Sequence, residues 1–288
     1  MMSKTIKTVS ATEDYPDDWS FNATEDYPDH WSYNATEDYA KHWSYNAQHE
    51  WFKTYPDCGQ RSQSPVNLPY KGFIKAKTPR KLIFGNYNEH PQKFSVNNDG
   101  QRVTFKGEWK YDRQPYIYGG AGHSRRYTFH SITLHWPSEH SVEGIMYPIE
   151  SQVLHVSADY KTLEEAMKAS ARDPLAFLGI VNLYMFSNYT HEGLSSMLKA
   201  AKLSNHSNSD MALNPLQYYN PPFKEYACYQ GSLTVPPCTE SVLWLVRAHA
   251  LSVTRNALDS FPVRSAQGPM FSRLVQPLND RKVYYFKH

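Results

Sequence analysis

Beyond residue 60, hydrophobic positions fall in short runs broken by clusters of Gly, Pro, Asn and Asp. The runs at 102–106, 131–136, 149–156, 175–186 and 241–247 have the length and composition of strands. Apolar residues at helical spacing are confined to 162–170, 191–203 and 255–260. The pattern predicts a mainly β, α+β protein, with a large, mostly antiparallel sheet and a few surface helices. The longest apolar run, 175–186, contains Asn182 and is too short for a helix that spans a bilayer, so no membrane span is expected. The opening MMSKTIKTVS has lysines but no apolar stretch after them, so no secretory signal is visible.

The first 46 residues follow a different rule. Residues 11–22 read ATEDYPDDWSFN, 23–34 read ATEDYPDHWSYN and 35–46 read ATEDYAKHWSYN. The three units keep Tyr15, Tyr27 and Tyr39 in register, and likewise Trp19, Trp31 and Trp43. Pro16 and Pro28 argue against helix, and so short a unit has no core of its own. Each unit therefore reads as a loose peptide or as one that docks elsewhere through its paired aromatics, which dominate interface energetics. The expected organisation is a 1–34 extension with two extra units, a third copy at 35–46, and a domain over 35–288.

Composition sharpens this division. Forty per cent hydrophobic and 20% charged residues over 288 positions suit a packed domain. A net charge of +2 gives no reason to expect a nucleic-acid partner. The charge is uneven, however. Residues 1–46 hold nine acidic residues (Glu13, Asp14, Asp17, Asp18, Glu25, Asp26, Asp29, Glu37, Asp38) against Lys4, Lys7 and Lys41. The remainder has 19 acidic and 27 basic residues, a net of +8. An acidic head precedes a basic body. The two are either separate solvated surfaces or partners in a head-to-body contact, within one molecule or between two.

Several segments carry a family likeness. QSPVNL (63–68), SEHSVEG (138–144), YPIESQVLHVSAD (147–159), GSLTVPPCTE (231–240) and QPLNDRKVYYF (276–286) resemble the α-class carbonic anhydrases in order and spacing, and HWSYN (42–46) is similar to the start of that domain. The resemblance implies one domain around a ten-stranded, twisted, mainly antiparallel sheet, with a conical cavity at its centre. Active members hold zinc there through an H-x-H on one strand and the histidine of E-x-H on the next. Alternation points residues i and i+2 to one face, and the open fourth position holds a water whose pKa falls to about 7.

At the matching positions this chain reads Ser131-Ile132-Thr133-Leu134-His135 and Glu150-Ser151-Gln152. By the resemblance, Thr133 and Gln152 replace two of three ligands and His135 remains. A hydroxyl and an amide oxygen are poor zinc donors beside imidazole or thiolate. Glu139 and Thr234 match the pair that orients zinc-bound hydroxide. Gln101 stands at the proton-shuttle position, where it cannot titrate. Glu150 is expected to accept from the Gln152 amide. Alternation puts His130 and His155 on the opposite face, and His140 matches a structural histidine. A rebuilt site joining His135 to His123 is the alternative that would restore zinc and weak hydratase or esterase activity. The expectation is no metal, no cofactor and no catalysis.

The resemblance also pairs Cys58 with Cys238 as in secreted members, the alternative being two buried thiols. Cys228 is left over, as a buried thiol or else an intermolecular link. Sequons at Asn22, Asn34, Asn188 and Asn205, with the cysteine pair, favour an extracellular setting. Three roles then suit a scaffold without chemistry. The extra repeats suit self-association, a homo-oligomer in which copies dock on neighbouring bodies. The cluster Lys71, Lys75, Lys77, Arg80 and Lys81, with Arg125 and Arg126, suits an acidic, sulfated glycan, which some inactive relatives bind. A storage or matrix protein crosslinked through its tyrosines is the third.

Overall fold

The strongest apolar runs of the sequence lie side by side and make the centre of one sheet. The computed structural model describes residues 43–78, 80–99, 102–204, 208–259 and 272–288. The repeat residues Tyr15, Trp19, Tyr27, Trp31 and Tyr39, the sequons at Asn22, Asn34 and Asn205, and Gln101 lie outside the described residues.

In chain order the strands are β1 (Asn67–Leu68), β2 (Ile74–Lys75), β3 (Ile83–Gly85), β4 (Lys93–Asn98), β5 (Val103–Glu108), β6 (Tyr116–Tyr118), β7 (Arg126–His135), β8 (Ser141–Val142), β9 (Ile145–Met146), β10 (Ile149–Ser157), β11 (Phe177–Phe186), β12 (Asn208–Asp210), β13 (Glu225–Gly231), β14 (Val242–Arg247), β15 (Leu251–Val253) and β16 (Tyr284–Lys287). Ten of them run in the order β12-β4-β5-β7-β10-β11-β14-β13-β16-β2, and β3, β6 and β15 join the same sheet. A small sheet, β1-β8-β9, lies apart. Pairing is antiparallel except for β11–β14, β11–β15, β16–β2 and β1–β8. This is the mainly antiparallel architecture expected, with ten strands on its main path.

The five predicted strands are all present, with shifted ends. The run at 131–136 is the end of a longer strand, β7, whose first half is hidden because Arg126, Thr128 and His130 interrupt its apolar residues. The helices are α1 (Trp51–Thr54), α2 (Leu163–Ala169), α3 (Glu192–Leu203), α4 (Leu216–Tyr219) and α5 (Arg255–Asp259). The Thr162 hydroxyl caps α2 by accepting from the Glu165 N–H, with Glu164 and Glu165 in its first turn and Lys168 in its last, as the helix dipole favours. Helix α3 buries Leu194, Met197, Leu198 and Ala201, one stripe at three- and four-residue spacing. Among the described residues, no helix is long and apolar enough to cross a membrane.

Aromatic rings fill the core on one face of the sheet. Phe94 stacks on Tyr219 at 4.7 Å, and Phe105, Tyr127 and Tyr226 are fully buried. Asn182, the polar interruption in β11, is explained by its neighbours. Its Oδ1 accepts from Arg247 Nε at 2.7 Å, while its amide donates to Ser151 Oγ and Asn220 Oδ1. A buried guanidinium needs such a partner, and burial still pulls the Arg247 pKa down to about 10.

Candidate functional site

Direct cross-strand pairs share a face of the sheet, and three such pairs make the site. Thr133 lies opposite Gln152, His135 opposite Glu150, and Ser131 opposite Leu154. On the other side of β7, Thr104 of β5 lies opposite Thr133. Of these, Ser131, Thr133, His135, Gln152 and Leu154 meet Leu233, Thr234, Val235 and Trp244 around a cavity of about 70 Å³, with Arg102 also in its lining. Gly179 faces Trp244 across β11 and β14, and any side chain there would collide with the indole ring.

The floor of the cavity is a closed polar network. Gln152 Nε2 donates to Glu139 Oε2 at 2.7 Å and to Glu150 Oε1 at 2.8 Å. Thr234 donates to Gln152 Oε1 at 3.3 Å. His135 Nδ1 is 3.2 Å from Glu139 Oε1, which also accepts the Arg273 N–H at 2.8 Å. Glu150 takes the His140 N–H on Oε2 and faces His140 Nδ1 with Oε1, both at 2.8 Å. His140 Nε2 in turn meets the Tyr229 hydroxyl at 2.6 Å. Both carboxyl groups are out of solvent. Burial pushes Glu150 toward protonation, but the His140 ring and N–H, helped by His135, hold its pKa below the ordinary value.

The hydrogen bond expected between Glu150 and Gln152 is therefore present, and Gln152 also reaches Glu139. Thr234 and Glu139 are joined through this amide: Thr234 donates to Gln152, and Gln152 donates to Glu139. An imidazole at position 152 would offer one ring N–H to a carboxylate and one lone pair to a metal. The glutamine spends both amide hydrogens on carboxylates instead.

Other histidines do not complete a metal site. His123 is exposed ahead of β7 and His135 ends that strand, so a ten-residue strand separates them. At about 3.3 Å per residue the gap is on the order of 30 Å. The rebuilt His135–His123 site is thus excluded by the strand between its members. The simple alternation assumed for His130 also needs correction. The β7–β10 register shifts between Leu154 and His155, a bulge that leaves His130 as the extra residue, with Nδ1 2.9 Å from Ser131 Oγ. It does not line the cavity. His155 faces away from the site and meets the Tyr87 hydroxyl at 2.7 Å. Among the described residues, no group of three or more His, Cys, Asp or Glu side chains is placed to hold a metal ion.

Beside the cavity lies an aromatic cluster that holds the end of the third repeat. Trp43 packs edge-on against Tyr45 at 5.3 Å and Trp51 at 5.2 Å, and the Arg102 guanidinium covers its ring at 5.3 Å. Ser44 Oγ accepts the Asn46 N–H, and the Ser44 carbonyl takes the Trp51 indole N–H. Tyr45, Trp51, Cys58 and Cys238 form the buried part, with Val235 against it. Cys58 and Cys238 are bonded, with S–S 2.07 Å, and Cys228 is a buried thiol whose pKa burial pushes up to about 12. Arg273 ties cluster to cavity. Its guanidinium donates to Gln63, Ser64 and Cys58 oxygens and covers Trp51, while its N–H goes to Glu139.

Arg102 and Arg273 carry no motif and were missed from sequence. Arg102 was legible by period: Val103 and Phe105 are core residues, so 102 and 104 must face the cavity. Of the other candidates, Asn188 is exposed. Lys71, Lys75, Lys77, Arg80 and Lys81 are exposed as well. Arg126 covers the Tyr116 ring at 3.6 Å. Arg125 is spent on Asp173 and Asp159, at 2.8 and 3.2 Å.

Residues 46–287 match the family model of the eukaryotic-type carbonic anhydrases. Human carbonic anhydrase 3 is 30% identical over 250 residues, which cover 81% of this chain and 92% of that protein. Mouse carbonic anhydrase 6 is 26% identical over 253 residues, 81% of this chain and 76% of its own length. The human receptor-type tyrosine-protein phosphatase zeta is 28% identical over 226 residues, 73% of this chain and 9% of that protein. The family implies a zinc ion at the sheet centre. The donors at that place do not fit one, because the Gln152 amide is committed to two carboxylates and a threonine hydroxyl is a poor ligand. The scaffold is that of the family, and the residues at its metal position are engaged with one another instead.

Proposed function

This chain belongs to the eukaryotic-type carbonic anhydrase family, and from that premise we propose that it is an extracellular binding and self-assembling protein that has exchanged hydration chemistry for docking. In this reading Thr133 and Gln152 stand where two of three zinc-binding imidazoles stood, and His135 is the survivor. Losing two ligands removes much of the roughly 10–16 kcal/mol with which protein sites bind structural zinc.

One observation carries the docking role. The segment Trp43-Ser44-Tyr45-Asn46 is built into the body as an aromatic anchor. Two further copies of that anchor precede it, Trp31-Ser32-Tyr33-Asn34 and Trp19-Ser20-Phe21-Asn22. The body's own place for such a segment is taken by the third copy. An upstream copy reaches that place on the body of another molecule where it displaces that body's own third copy, an exchange of anchors that runs head to tail, with tandem copies raising the effective concentration. The Cys58–Cys238 bond and the exposed Asn188 sequon support a secretory setting.

Light scattering on the full chain and on a chain lacking residues 1–34 tests this. Oligomers that fall to a single-chain mass on deletion are expected. An unchanged mass, or a full chain that is monomeric at micromolar concentration, overturns the proposal.

A further inference from the structure

The structure gathers the basic excess of the body at one edge of the sheet. Strand β2 ends the sheet order and is paired to β16 in parallel, Ile74 with Tyr284 and Lys75 with Tyr285. This pairing lays the basic segment 69–82, which holds five Lys and Arg and no acid, beside the end of the chain, with Lys282 and Lys287. Lys224 precedes β13, the next strand in. Those eight cations are all exposed. The acids in these segments are few and occupied. Glu225 holds Lys287 at 2.7 Å, accepts the Tyr285 hydroxyl and lies near His249, and Asp280 is paired with Arg61 at 3.4 Å. Arg80 lies over the Tyr118 ring at 5.5 Å. Tyr118 is paired with Arg126 in β7, so the basic surface continues across β6.

Lysines on an edge strand also discourage unwanted strand pairing. That need is met by one or two of them and leaves the rest of the cluster unexplained. The same chain supplies a complementary partner. Its first 46 residues carry nine acids against three lysines, grouped in each of the first two units just ahead of the tryptophan.

We infer that the β2–β16 edge is the docking surface for the acidic parts of the N-terminal repeats of a second copy, Glu13–Asp18 and Glu25–Asp29 above all. This rests on the self-assembly reading, and it adds a second, electrostatic contact to the aromatic one. Steering by opposite fields speeds encounter and fixes orientation, and it is lost in salt.

The test uses a fluorescent peptide of residues 11–34 and the full chain, followed by anisotropy at 20 and 300 mM NaCl. A second peptide has every Asp and Glu replaced by Asn and Gln. The proteins are native, Lys75→Glu/Lys77→Glu/Lys81→Glu, the neutral triple Lys75→Gln/Lys77→Gln/Lys81→Gln, and a control with Lys106, Lys161 and Lys199 changed to Glu. The expected result is acidic-peptide binding weakened about tenfold or more by the edge triples, less by the neutral one, and by salt, with the control near native. Equal binding of both peptides to native and edge-reversed protein overturns the edge and leaves the aromatic reading standing. Absence of binding by either peptide to native protein overturns both. Heparin fragments that bind the edge while the acidic peptide does not would replace the inferred partner with a sulfated glycan.

Discussion

The side-chain nitrogen of Gln152 lies 2.7 Å from Glu139 Oε2 and, through its other hydrogen, 2.8 Å from Glu150 Oε1. Two buried carboxylates thus share one neutral amide. Taking away that donor leaves both partly unsatisfied, at about 1–3 kcal/mol for each buried group. Gln152→Leu is expected to lower the unfolding free energy by about 3 kcal/mol at pH 8. The loss should be smaller at pH 5, because the variant raises a folded-state carboxyl pKa, and the folded protein then gains by taking up a proton as pH falls. Urea unfolding at the two pH values reads this, and identical losses would contradict it.

Metal content separates a missing ligand set from a missing cavity. Native protein dialysed against trace zinc is expected to hold far less than one zinc per chain by elemental analysis. Thr133→His/Gln152→His returns two imidazoles to the face that His135 shares, one two residues back on β7 and one beside it on β10, and it is expected to approach one zinc per chain. Near-stoichiometric zinc in the native protein would refute the reading of the site.

Much of this was legible before any coordinates. The central strands β10, β11 and β14 announce themselves because both faces are buried, which demands nearly continuous apolar runs. Thr133, His135 and Gln152 were readable by period, since a residue two places along a strand returns to the same face. The outer strands β2, β3, β6, β12 and β16 were not legible. They are two to four residues long, and their existence depends on partners distant in sequence. The bulge at His130 and the reach of Arg273 across the cluster have no local signature either.

The Cys58–Cys238 bond closes a loop of 180 residues. Chain entropy gives it about 5 kcal/mol. Cys58→Ser/Cys238→Ser is expected to lose most of that in denaturant unfolding without reductant, and native protein should fall to the same midpoint once reduced. A midpoint shift worth less than about 1 kcal/mol would show that the unfolded chain is already constrained there.

Acid stability follows from histidines kept neutral. Burial pulls His155 down to about 3, and burial with the nearby Lys106 pulls His130 down to about 4. The unfolded chain binds these protons near pH 6.5, so the stability is whole above that pH and is lost as pH falls toward the folded values. Tm should drop between pH 6.5 and 5, before ordinary carboxylates titrate, because the unfolding free energy falls by up to about 1.4 kcal/mol per pH unit for each histidine. His130→Gln should flatten that slope, and a native Tm that is level from pH 7 to 5 would contradict the account.

Trp43 belongs to a twelve-residue repeat and to the folded body at once. The seam between tail and domain therefore falls inside a unit, and the second copy ends with the same Trp-Ser-Tyr-Asn that begins the fold, the first with Trp-Ser-Phe-Asn. Gain or loss of a whole unit by slippage in the gene keeps the reading frame and leaves each body residue beside its old neighbours. The number of units can therefore change in single steps without any change to the residues that fold.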